Sequence, residues 1–171
     1  MKCVVMFNGP SLKRYLGLPK SVAEIGCNHI QDLRPCVDHV VAYDSQILTH
    51  IPPRPAITYH TRSGFRRDHW GEVSYTSLDQ PHCSGTMAVL LAINLKFTSI
   101  RIVGCDWGVT VASLFDHIYH ARQAPAAYKH SNSKVRQMDR FMLNRDVRVV
   151  SDVAMPFRSA CVPWSDFLLW L

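Results

Sequence analysis

Short apolar runs rich in β-branched residues at 3–7, 22–27, 38–43, 56–59, 99–103 and 147–150 alternate with stretches of helical spacing at 11–16, 84–97 and 131–145. Runs this short and this apolar read as buried strands, and strands joined through helices pair in parallel. The expected fold class is therefore α/β. One Rossmann-like domain spans 1–171, with a mainly parallel sheet and helices on both faces. A chain of 171 residues is long enough to bury about two thirds of its surface. The stretch 51–82 stands apart, because its Pro, Arg and aromatic residues lack a clear period. It reads as irregular loops around one or two strands. The closing "WSDFLLWL" is apolar enough to pack on the sheet or on a second subunit, so a homo-oligomer is among the expected partners.

No run approaches the length of a membrane span, and the first residues form one strand rather than a signal peptide. A cytoplasmic protein is expected. Cys3, Cys27, Cys36, Cys83, Cys105 and Cys161 are dispersed, with no C-x-x-C pair, which favours reduced thiols. His117 and His120, at i and i+3, could share a helix face, while His69, His82 and Cys83 lie in or at the edge of the irregular stretch. None has the paired spacing of a structural zinc site, so no metal is expected.

The net charge of +6 favours an anionic partner, with a solvated basic face as the alternative. Nucleotide phosphates, an acidic sugar donor and nucleic acid all satisfy it. Arg62, Arg66 and Arg67, beside Phe65 and Trp70, mix cations with aromatic rings as single-strand binders do, although a solvated loop with an aromatic anchor has the same composition.

In open parallel sheets, ligands sit outside the carboxyl ends of the strands. Those ends carry polar residues: Asn8-Gly9-Pro10-Ser11, then Cys27-Asn28-His29, then Tyr43-Asp44-Ser45, and later Gly104-Cys105-Asp106. The helix at 84–97 opens with Ser84-Gly85-Thr86. Together they can surround one polar ligand. Asn-Gly-Pro-Ser is a candidate phosphate seat, since a helix start offers free N–H groups and Pro10 fits a first turn; a well-capped turn with no ligand is the alternative. No G-x-G-x-x-G or G-x-x-x-x-G-K-[ST] is present.

"NGPSL" after the first strand, "GCN" after the second and "SGTMAVLLAINLKFTSIRIVGCDW" resemble the bacterial sialyltransferases of glycosyltransferase family 42. The same blocks resemble the related Rossmann-like archaeal 6-hydroxymethylpterin diphosphokinases. The resemblance implies that Asn8, Asn28, Asp44, Ser84 and Gly85 hold the cytidine monophosphate part of a nucleotide donor, with Gly9, Pro10, Ser11, Thr86 and Gly104 completing the nucleotide-binding set. Asp44 departs from the family's asparagine, and a carboxylate suits the ribose or base end rather than phosphate. His130-Ser131, before the helix at 131–145, matches the family's histidine base, and Asp106 ends its Gly-x-Asp. The family's two phosphate-steadying tyrosines are missing: Trp107 follows Asp106, and Ser113 lies near the second place. Tyr119, Tyr128 and Lys129 are the candidates to replace them, with Arg122 also near.

The implied function is a small nucleotide-dependent group transferase, moving a sugar from a CMP-sugar type donor to a hydroxyl acceptor. The nucleotide is a co-substrate, and no permanently bound cofactor is expected. A diphosphokinase acting with ATP on a pterin-like or nucleoside alcohol is the second reading. A non-catalytic nucleotide- or nucleic-acid-binding module is the third.

Overall fold

A computed structural model describes residues 1–64, 69–75, 80–105, 116–117, 120–121, 132–152 and 161–171. In the first strand, β1 (Lys2–Met6), Cys3, Val4, Val5 and Met6 are all fully buried, so both faces need a cover. A strand with no solvent face belongs at the centre of a parallel sheet. β1 pairs in parallel with β2 (Ala23–Cys27) and β6 (Ser99–Val103), Val5 lying opposite Ile25 and Ile102. Outside β2 lie β3 (His39–Ala42), β4 (Thr58–Thr61) and β5 (Trp70–Glu72). Outside β6 lie β9 (Asp146–Val150) and β10 (Cys161–Val162), giving an 8-stranded sheet of order β10-β9-β6-β1-β2-β3-β4-β5. Every pairing in it is parallel. The chain runs outward from β1 to β5, returns beside β1 as β6 and continues the other way. The direction of winding therefore switches between β1 and β6.

Alternation along β1 sends Cys3 and Val5 to one face and Val4 and Met6 to the other. The first face is covered by α4 (Ser84–Asn94) and α5 (Asn132–Met142). α4 is buried from Ser84 to Ala92, as a helix apolar on all sides must be, whereas α5 buries Met138, Phe141 and Met142 and exposes Arg136 and Arg140. The second face takes α1 (Lys13–Leu16), α2 (Ile30–Leu33), α3 (Ser45–Leu48) and α6 (Trp164–Trp170), with Trp164 and Phe167 buried against it. The C-terminal tail thus packs on its own sheet. Under α1 and α2, the fully buried Glu24 carboxylate accepts from Tyr15 Oη at 2.6 Å and from Arg34 Nε at 3.0 and 3.1 Å. Arg34 Nη1 also donates to the Leu18 carbonyl at 2.7 Å.

The structure adds to and corrects the sequence reading. The expected helix at 11–16 is a 3-10 turn, Pro10–Leu12, followed by the single turn α1. The irregular stretch holds two strands, β4 and β5, and Trp70 is 1% exposed within β5. That ring packs on Tyr59 at 5.1 Å and is unavailable for stacking on a nucleic-acid base. His117 and His120 do not share a helix: they pair across the two-stranded hairpin of β7 (Asp116–His117) and β8 (His120–Ala121).

His39 Nδ1 and His60 Nε2, on adjacent strands, lie 3.1 Å apart. Such a bond needs one N–H and one lone pair, so protonating both rings sets donor against donor. Burial, and then His39, lower the His60 pKa to about 4; burial also lowers that of His39, against a smaller upward pull from Asp38 and a downward push from Lys20. Both values are depressed, so the unfolded chain binds more protons below its ordinary histidine pKa. The stability these rings contribute is present above pH ~6.5 and is lost as the pH falls toward about 4. Urea unfolding should show a loss of roughly 1–3 kcal/mol across that window, and His60→Gln should flatten it. An equally steep profile in the variant would place the titration elsewhere.

Candidate functional site

The carboxyl edge of the sheet begins at the switch between β1 and β6, where doubly wound sheets open a crevice. Two glycines bring its walls together. Gly104 follows β6 at φ +70°, and a Cβ there would stand 2.5 Å from the Phe7 carbonyl oxygen. A Cβ on Gly85 would stand 2.6 Å from the Phe7 ring, so only glycine lets α4 start this close to the end of β1. Phe7 N–H donates to Val103 O and Gly9 N–H to Gly104 O, both at 2.8 Å, which ties the two loops together.

Ser84 links three neighbouring elements. Its Oγ accepts from the Tyr43 N–H at 3.0 Å and donates to Asn28 Oδ1 at 2.9 Å, joining the start of α4 to the ends of β3 and β2. Asn28 holds a left-handed φ of 56°, and its own N–H donates to Val41 O at 2.9 Å. Backbone and side chain are both fixed. With its oxygen engaged, the Asn28 amide NH₂ is the group that remains to donate to a ligand. Asn8 Oδ1, after β1, is buried with no hydrogen-bond partner among the described residues. An orphaned acceptor is costly, and a hydroxyl or amine donor from a ligand would satisfy it.

Several expected residues have structural duties. Gly9 N–H is occupied by Gly104, and the helical segment behind Pro10 and Ser11 is only a 3-10 turn and one α-turn, so this seat offers less to a phosphate than a long helix would. Thr86 is fully buried: its Oγ1 accepts from His82 N–H at 3.1 Å and Cys83 N–H at 3.2 Å, holding the start of α4. Asp44 is exposed at the start of α3 and its side chain does not cap that helix. Burial pushes the Cys27 thiol well above its ordinary pKa, which keeps it protonated and unreactive. Asp106, His130, Tyr119, Tyr128, Lys129, Arg66 and Arg67 lie outside the described residues.

Two contributors were not anticipated. Arg62, after β4, lays its guanidinium over the Tyr43 ring at 4.6 Å, with Nη1 3.5 Å from Tyr43 Oη. Its place in an arginine cluster had pointed to a polyanion surface rather than to this edge. Gln137, from α5, accepts from His82 N–H at 3.1 Å and donates to the Gln80 carbonyl, fastening α5 to the loop before α4. Nothing in its local sequence marks it.

Fold and edge together define a doubly wound α/β protein with polar residues gathered at its strand ends. Among solved structures the chain is similar to the sialyltransferase CST-II in complex with trisaccharide acceptor and CMP, with a TM-score of 0.54 and 14% identity over 88% of this chain and 80% of that one. At that identity the likeness shows a shared Rossmann-like fold. No family model and no curated protein matches the sequence. Among the described residues, no helix is long and apolar enough to cross a membrane.

Proposed function

We propose that the protein is a nucleotide-dependent glycosyltransferase that moves a sugar from a CMP-sugar type donor to a hydroxyl acceptor. The observation that carries this reading is the Ser84 link, which presents the Asn28 amide beside the orphaned Asn8 oxygen on the edge next to the winding switch. The fold shared with a sialyltransferase supports it. A ribose or sugar hydroxyl donating to Asn8 and an oxygen accepting from Asn28 would fix the donor across the strand ends.

In the proposed reaction His130 takes the proton of the acceptor hydroxyl as its oxygen bonds to the anomeric carbon of the donor. The bond from that carbon to the phosphate oxygen breaks with inversion, and CMP leaves carrying the electron pair. Tyr119, Tyr128 or Lys129 donates to the departing phosphate, and Asp106 orients the reactants. The nucleotide is a co-substrate, released at each turnover.

A thermal-shift panel of mono-, di- and triphosphates of cytidine, uridine, guanosine and adenosine tests this. A bound nucleotide stabilises the folded state by mass action, about 2.7 kcal/mol at a hundredfold excess over Kd. CMP should raise the midpoint more than any adenosine nucleotide. A response to ATP alone would contradict the reading in favour of diphosphate transfer.

A further inference from the structure

At the opposite, amino edge of the sheet, the turn from α5 into β9 borders a cavity of about 590 Å³ lined by Arg140, Arg145 and Arg148 together with Asp139 and Asp146. Asp146 is already engaged, since its carboxylate accepts from Arg101 Nη1 at 2.9 Å and from the Ser99 hydroxyl. Cationic groups therefore outnumber carboxylates at this corner. Arg145 Nη1 donates to the Phe141 carbonyl at 3.1 Å, and Arg148 Nη1 to the carbonyls of Arg145 and Val147 at 3.3 and 3.2 Å. These bonds order both guanidinium groups before any ligand arrives. They use Nη1 alone, and among the described residues Nε and Nη2 of Arg145 and Arg148 have no hydrogen-bond partner, so each keeps planar donors for an anion. Further back on α5, Arg136 and Arg140 are both exposed at i and i+4, about 6 Å apart along the axis. Like charges at that spacing disfavour a helix, and an anion lying along them removes the cost.

We propose that this corner docks the phosphate backbone of duplex DNA. The docking surface lies away from the candidate nucleotide site and does not depend on it. From Arg136 to the end of α5 the helix rises ~9 Å, and Arg145 and Arg148 continue the strip beyond it. Such a strip outruns a single phosphate and suits a row of them. The cavity lining holds no aromatic ring among the described residues, so unpaired bases would find nothing to stack on, whereas a duplex keeps its bases stacked inside. Asn144 is the one neutral polar side chain in that lining, which leaves little to contact a 2′-hydroxyl, the group by which proteins tell RNA from DNA. Contacts of guanidinium to phosphate position a duplex without reading its sequence.

Fluorescence anisotropy of a short labelled DNA duplex of mixed sequence tests the assignment, with urea unfolding of each variant as the control for folding. The wild type should bind with a Kd of about 10⁻⁶ to 10⁻⁴ M at physiological salt, and log affinity should fall with log salt at a slope of about −2.7, the value for roughly three neutralised phosphates. Changing Arg145→Gln and Arg148→Gln together should weaken binding at least about 10-fold at low salt and flatten the slope by about 2. Arg136→Gln, at an exposed helical position, should flatten it by about 1, and Arg136→Lys, which keeps the charge, should leave it in place. If the double variant fails to fold, Arg136→Gln decides alone. No binding of the duplex at low salt, a slope near zero, or wild-type affinity and slope in folded glutamine variants would overturn the proposal. Tighter binding of single-stranded DNA, duplex RNA or polyglutamate than of duplex DNA would overturn it too, in favour of that partner.

Discussion

His130→Ala should lower turnover by about 10²- to 10⁴-fold while nucleotide affinity changes little, because a general base acts on the acceptor proton and not on donor binding. In kinetic terms kcat falls and the nucleotide Kd stays. The acidic limb of the wild-type rate profile should report a group titrating near the ordinary histidine value of about 6.5. The limb should rise as the pH increases through that value, since only the neutral ring can accept a proton. Asp106→Asn should alter binding or positioning and leave the acidic limb in place. Full turnover in His130→Ala would remove the histidine from the mechanism, and the base would then be sought at His117, His120 or Asp116.

The second large effect belongs to stability. Arg34→Met should cost about 3–5 kcal/mol, because it strands the Glu24 carboxylate in a site with no access to water. The loss comes chiefly from the charge left behind, and Tyr15 Oη alone cannot compensate for it. Replacing both partners with methionine should therefore recover much of the difference, as removing a buried pair together is often close to neutral. Urea unfolding of the single and double variants measures this. A double variant as unstable as Arg34→Met would show instead that the Arg34 guanidinium over the Tyr15 ring, 5.2 Å from its centroid, carries the effect. For a domain of ordinary stability the single change removes a large part of the total.

How much of this was legible in the sequence follows from what each segment must bury. Val4, Val5 and Met6 form an unbroken apolar run, and such a run has no stable place except between two covered faces; β1 and its position were readable for that reason. The same holds for α4, whose start at Ser84 and whose apolar body leave one location, over the centre of the sheet. β5 was not readable as a strand of its own, because Trp-Gly-Glu has no period and is held by pairing with β4 and by the burial of Trp70. The four-residue helices α2 and α3 are too short to carry a periodic signal. The places of Asn8 and Asn28 at strand ends and of Ser84 at a helix start were readable because strand ends can be located from strands. Their mutual hydrogen bonds could not be, since they depend on the left-handed turn at Asn28 and on where β3 ends. A hydroxyl at a helix start serves equally as cap or ligand donor, so the sequence does not show that Thr86 is buried and accepts from the Cys83 N–H. Arg62 and Gln137 act across long sequence separations, which no local pattern encodes.

The proposed donor nucleotide lies across the carboxyl edge, held by Asn28 and oriented through Ser84. Calorimetric titration of CMP into the wild type and Asn28→Ala, with urea unfolding of each protein as the control for folding, tests it most directly. The wild type should show a single site. Its Kd should weaken by about 10-fold in Asn28→Ala, the worth of one hydrogen bond to a ligand, with the unfolding midpoint falling far less than for Arg34→Met. CMP bound with equal affinity by the wild type and a folded Asn28→Ala would contradict the claim and place any nucleotide elsewhere on the protein.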